Sequence, residues 1–110
     1  MAISISDNLL NDVAVMLNYT AAERAEDISV DRRIRIMIEN GIARLRSSAP
    51  DLTVKDFEEE GNARALLFDY CRYADSNALE MFGVNFSAEI LALRLDYKVR
   101  SSKNENQEQS

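Results

Sequence analysis

"NARALLFDYCRYADSNALEMFG", residues Asn62 to Gly83, decides how the chain is read. It carries the only cysteine, Cys71, and four of the eight Phe and Tyr residues. Ala63, Leu66, Leu67, Tyr70, Ala74, Ala78 and Met81 recur at three- and four-residue spacing, with Phe82 beside them. That period predicts one buried helix face, stopped by Gly83. Cys71 lies one turn from Leu67 and from Ala74, at the edge of the apolar stripe. A nucleophilic thiol needs a neighbouring base, nearby cations or a helix N-terminus to lower its pKa. Cys71 sits mid-helix, Arg72 points about 100° away around the axis, and the chain has no histidine. The thiol therefore reads as a small core residue.

Upstream, Thr53-x-x-Asp56 fits a capping box, so helix can begin before Phe57, with Gly61 as an interruption. The preceding "SSAPDLT" ends another helix, because Pro50 disfavours helical backbone before it. That helix is predicted over Val30 to Ser47, capped by Asp27 or Ser29, with Ile34, Ile38, Gly41 and Leu45 as its stripe and Met37 and Ile42 beside it. Gly41 is unfavourable inside a helix by about 1 kcal/mol relative to Ala, which implies a neighbouring helix in close approach. Thr20-x-x-Glu23 is a second capping box and predicts a short helical turn. The first segment, Asp7 to Asn18, places Leu9, Leu10, Val13, Ala14 and Leu17 at helical spacing behind a Ser6 or Asp7 cap.

Downstream, Phe86, Ile90, Leu93 and Tyr97 form a stripe, widened by Leu91 and Leu95. Alternation at 91, 93, 95 and 97 would also suit a strand, but Ser87, Ala88 and Glu89 favour a helix start. The expected fold is all-α: a small bundle of about four helices with short loops. It covers residues 1–100, and the polar "SSKNENQEQS" of 101–110 is expected to be a flexible tail.

Composition narrows the function. A chain of 110 residues fits one domain. A net charge of −6 argues against general nucleic-acid binding, which needs clustered Lys and Arg. The absence of histidine removes the usual general base and the commonest metal ligand. Glycines stand only at 41, 61 and 83, so no phosphate loop forms. "DLTVKDFEEE" fails the calcium-loop pattern, because Lys55 and Asp56 occupy its fifth and sixth places. No catalytic, metal or cofactor site is expected. One cysteine suits a reducing compartment. The N-terminus lacks the basic region of a signal peptide, and no apolar run nears the roughly 20 residues of a membrane helix.

Two charged stretches are the candidate contact residues. Arg32, Arg35, Glu39, Ala43 and Arg46 share one helix stripe away from the apolar one, flanked by Arg33 and Arg44. Asp56, Glu58, Glu59 and Glu60 form an acidic stretch. One reading is solvated faces, with Arg35 and Glu39 paired for a few tenths of a kcal/mol. The other sets Arg32, Arg33, Arg35 and Arg46 of one copy against the acidic stretch of the next. Such a heterologous contact makes a ring if the rotation closes.

The strings "DRRIRIMIENGIARLR", "DFEEEGNARALLFDYCRYADSNALEMF" and "NFSAEILALRLDYKV", and the order of the elements, resemble the head-tail connector (adaptor) proteins of tailed bacteriophages and prophages. The resemblance spans roughly Asp7 to Val99. It implies a non-enzymatic virion subunit that assembles into a ring of about a dozen copies. The ring would bind the portal protein and tail-side connector proteins, and DNA would pass through it without sequence-specific binding. It implies assembly in the bacterial host cytoplasm and a final place in the virion neck. A channel-lining loop is also implied, with Ser47–Thr53 and Gly83–Ser87 as candidates. Two rivals remain: a small acidic regulatory module, inhibitor- or antitoxin-like, that buries a partner helix, and a packaging subunit that reads DNA with the Val30–Ser47 helix.

Overall fold

The computed structural model describes the backbone of residues 5–109 and the side chains of residues 5–98. Among these the chain is all-α, with helices α1 (Asp7–Met16), α2 (Ala21–Glu26), α3 (Ile28–Ser48), α4 (Val54–Glu58), α5 (Asn62–Asp75), α6 (Leu79–Asn85) and α7 (Ser87–Gln109). The expected four segments thus become seven helices. Three of the segments are α1, α3 and α7, the Thr20 turn is α2, and the third segment is divided into α4, α5 and α6.

Local chemistry sets most of the boundaries. Ser6 caps α1 by accepting from the Leu9 N–H at 3.1 Å. Thr20 and Glu23 exchange reciprocal bonds of 3.1 and 3.0 Å at the start of α2. Asp27 starts α3 by accepting from the Ser29 N–H at 2.9 Å and its hydroxyl at 2.6 Å, and these bonds lower the Asp27 pKa. Before α4, the Asp56 carboxylate accepts from the Thr53 N–H at 2.8 Å and its hydroxyl at 3.1 Å. Gly61 lies between α4 and α5 at φ 155°, ψ −175°, a conformation essentially confined to glycine.

The break between α5 and α6 is not at Gly83. α5 ends at Asp75, and Asn77 comes next but one, in the left-handed region at φ 57°. The Ala78 N–H reaches back to the Tyr73 carbonyl at 2.8 Å and the Asn77 N–H to that of Ala74 at 3.1 Å, a Schellman closure. Asn18 closes α1 in the same way at φ 68°, with the Tyr19 N–H on the Ala14 carbonyl at 3.0 Å. Asparagine tolerates this backbone better than most residues, which is why it can stand where glycine usually does. The turn rotates α6 relative to α5, so Phe82 is buried and Met81 is exposed, against the stripe that continues through Met81. Gly83 lies inside α6, where an added Cβ would come within 2.9 Å of the Arg44 guanidinium. The Gly83–Ser87 segment is a kink between α6 and α7 and not a loop. Ser47–Thr53 is a short connection from α3 towards α4, with Ala49 and Leu52 anchored in the core.

α3 and α5 pack against each other at the centre of the domain, and α1, α2, α4, α6 and α7 pack around them. The core joins Ile34, Ile38, Ile42 and Leu45 of α3 to Leu66, Leu67, Tyr70 and Cys71 of α5, with Leu9, Val13, Phe57, Phe82 and Leu93 closing the sides. Gly41 stands at the α3–α5 crossing, as its stripe position predicts. A Cβ there would lie 2.6 Å from Leu67 Cδ1 and 2.8 Å from Tyr70 Cδ1. An aromatic group seats α6: Tyr70 meets Phe82 edge-on at 5.3 Å, Tyr73 meets Phe86 edge-on at 5.4 Å, and Phe82 and Phe86 stack at 5.3 Å. On α7, Leu93 is buried and Phe86, Ile90 and Tyr97 are partly buried, while Leu91 and Leu95 turn outward.

The backbone of α7 runs on through residues 101–109. Propagating a helix adds one hydrogen bond per residue, and this stretch holds Lys, Glu and Gln with no Gly or Pro. Ser110 lies outside the described residues.

Candidate subunit-contact surfaces

Burial of Ile34, Ile38, Gly41, Ile42 and Leu45 turns the opposite side of α3 outward. Arg32, Arg35 and Arg46 share that side within an arc of about 60°, at 100° per residue. Arg32 and Arg46 are exposed and Arg35 is half-buried. Arg35 approaches Asp7 of α1 at 4.0 Å, and among the described residues no ion pair joins it to Glu39. Arg46 lies in the last turn of α3, where the helix dipole favours a cation. Arg33 belongs to a different edge, about 100° beyond Arg32. Its guanidinium donates to the Tyr19 hydroxyl at 3.1 Å, and that hydroxyl donates to Asp75 at 2.9 Å. Burial, then the bond to Asp75, raises the Tyr19 pKa. Arg33 is thereby tied to the α1–α2 loop and, through Tyr19, to α5, while its side chain stays exposed. Arg44 leans over the Phe82 ring at 6.0 Å.

The acidic residues divide by role. Asp56 is half-buried and occupied in capping α4. Glu58 accepts from the Ser6 backbone N–H at 3.0 Å, holding the entry to α1. Glu59 lies 3.7 Å from Lys55, one turn away on an exposed face. Asp56, Glu59 and Glu60 line a cleft with Gly61, Asn62, Ala63, Asp96 and Tyr97. Glu58 and Glu60 line a second with Ser6, Asn8, Leu9, Asp12 and Arg64. Glu60 is therefore shared by both clefts, and the predicted acidic stretch extends onto α7 through Asp96. Among the described residues, no three His, Cys, Asp or Glu side chains are placed to hold one metal ion.

Arg64 is a residue the charge pattern did not single out. It donates to Asp12 at 2.7 Å and to the Glu58 carbonyl at 3.2 Å, and its guanidinium lies 4.7 Å from the Phe68 ring centre. One side chain thus ties α1, α4 and α5 together. Phe68 one turn later was the available signal, since i and i+4 residues face each other on a helix. Arg24 of α2 acts similarly, with bonds of 2.6 and 3.3 Å to Asp31 of α3 and 2.8 Å to Asn11 of α1.

Cys71 is fully buried. Burial, and secondarily the charge of Asp75, pushes its pKa up to about 12. The folded thiol is protonated and closed to solvent, the opposite of an activated nucleophile. Among the described residues, no helix is long and apolar enough to cross a membrane. No family model, curated protein or solved structure matches the chain.

Proposed function

We propose that the chain is a head-tail connector subunit of a tailed bacteriophage or prophage, a structural protein that forms a ring between portal and tail. The observation that carries this reading is the pairing of unlike surfaces on one small helical body. A basic stripe runs along the outward side of α3, and the acidic clefts lie at the α4–α5 bend. Opposite patches at different places favour a head-to-tail contact, the kind that closes into a ring. The resemblance of three long strings to connector proteins supports the same reading. A net charge of −6 suits a conduit in which DNA slides without being gripped. In this reading the partners are further copies of the chain, the portal protein and tail-side connector proteins.

The test is charge reversal at Arg32 and Arg35 together. Light scattering and negative-stain imaging, with the portal as template, should show assembly lost while the unfolding midpoint is kept. Unchanged assembly rejects the interface. Exposed Val84, Leu91 and Leu95 favour a second reading, a small binding module that buries a partner helix. That reading requires a monomer or dimer under the same conditions, with no ring on the template.

A further inference from the structure

Two outward helix faces expose apolar side chains among charged ones. On α7, Leu91 and Leu95 are each 52% exposed, and Val84 at the end of α6 is 71% exposed. Exposed Ala88 joins Leu91 and Leu95 at three- and four-residue spacing on the opposite side of α7 from Ile90 and Leu93, and Val84 stands just before the kink. Exposed Glu89 and Asp96 border the stripe on one edge, and exposed Arg94 and Lys98 on the other. The acidic edge runs into the cleft where Asp96 meets Asp56, Glu59 and Glu60. On α3, Ile28 is 87% exposed and Ile36 47% exposed, and both stand on the outward stripe among Arg32, Arg35 and Arg46.

The α7 face is apolar with one acidic and one basic edge, and the α3 face is apolar among arginines with Glu39 beside them. We infer that the α6–α7 face of each subunit receives the outward face of α3 from a second copy. Leu91 and Leu95 cover Ile36, and the α3 arginines turn toward Glu89, Asp96 and the adjoining cleft. This rests on the ring reading and names the surfaces that would make the contact. Pairing α3 with α3 would set arginines against arginines. Pairing α7 antiparallel with itself would set each charged edge against its like, which is unfavourable. The stripe from Ala88 to Leu95 covers only about 10 Å of helix. By itself it falls short of the roughly 800 Å² per partner of a stable interface. The charged borders are needed to complete the contact, and closure of the ring adds avidity.

The test adds one surface cysteine at a time to the full chain, in which native Cys71 is buried. Ile36→Cys and Leu91→Cys chains are purified separately, mixed and oxidised with copper phenanthroline. Leu95→Cys serves as a second partner for Ile36→Cys. The mixture should crosslink roughly ten-fold more than either variant alone, because docking raises the effective thiol concentration. It should exceed by the same factor a mixture of Ala22→Cys with Leu91→Cys. Yields equal to the Ala22→Cys control overturn the inference, as does a Leu91→Cys chain that crosslinks to itself as well as the mixture does. If rings are imaged while the crosslink fails, the pairing is wrong and the ring reading stands. If the crosslink forms but the product sizes as a closed pair at every concentration, the pairing stands and the ring reading fails.

Discussion

Replacing Gly41 by alanine sets two effects of opposite sign against each other. Alanine in the middle of α3 should gain about 1 kcal/mol of helix propensity. Against that, the new methyl carbon would lie 2.6 Å from Leu67 Cδ1 and 2.8 Å from Tyr70 Cδ1. Favourable carbon–carbon contacts sit near 3.5–4.0 Å, so both pairs are about 1 Å too close. Leu67 is fully buried, and the Tyr70 ring is held edge-on to Phe82 at 5.3 Å, so neither can swing into empty space. Overpacking of this kind costs about 1–3 kcal/mol, and two obstructed neighbours place it toward the upper end. The net expectation is a loss of about 1–2 kcal/mol, or roughly 5–12 °C in Tm for a domain of this size. Urea unfolding followed by circular dichroism measures it, with an unchanged slope confirming a stability effect. Ala43→Gly, on the exposed side of the same helix, calibrates propensity alone and should cost about 1 kcal/mol. Leu67→Val removes the Cδ1 obstacle, so Gly41→Ala should cost less in that background. A Gly41→Ala protein stabilised by the full propensity gain would refute close approach of α3 and α5.

At the α5–α6 turn, Asn77→Gly should hold or raise the unfolding midpoint, because glycine has no Cβ to strain at φ 57°, whereas Asn77→Ala should lose about 1 kcal/mol, because alanine keeps the Cβ but lacks the polar side chain that eases left-handed backbone. Cys71 should resist thiol reagents in the native protein and react at the rate of opening as urea is added; rapid stoichiometric labelling in buffer would contradict its burial. Raising pH should weaken the fold. The unfolded thiol loses its proton near 9.0 while the folded one keeps it to about 12, so stability falls through that window. The slope from this group is at most about 1.4 kcal/mol per pH unit. The raised pKa of Tyr70, caused mainly by burial, adds to the fall above its ordinary 10.0. Cys71→Ala should flatten the first part of the urea-midpoint decline with pH.

Period and capping chemistry made much of this fold legible. Ser6, Thr20, Asp27 and Asp56 stand at the helix starts their side chains suggest, because a cap is decided by residues three or four positions apart. The closeness demanded by Gly41 was legible for a similar reason, since a mid-helix glycine is unfavourable without a neighbour. The Ser76–Ala78 turn was not. An unbroken apolar period through Met81 hides a three-residue rotation, and the one local sign was Asn77, a residue far less specific for left-handed backbone than glycine. Leu91 and Leu95 show the same limit in reverse. Their spacing says that they share a face but not whether that face meets its own domain or another molecule. The charged residues were visible as sets, but their duties were not. Asp56 and Glu58 are engaged by local backbone, Arg33 by Tyr19, and Arg64 by three helices at once, and such pairings depend on elements far apart in sequence.

The kink at Phe86 has a mechanical consequence. α7 runs 23 residues from it, about 34 Å at the usual rise. The radius of gyration, 15.4 Å, exceeds the roughly 13 Å of a compact chain this long. The kink lays the first turns of α7 on the core, where Leu93 and Tyr97 hold them, and the stretch beyond Tyr97 projects about 18 Å past that seat. A tilt of about 10° there would sweep the tip by roughly 3 Å. The packing of Leu93 and Tyr97 therefore sets where the far end of the subunit points.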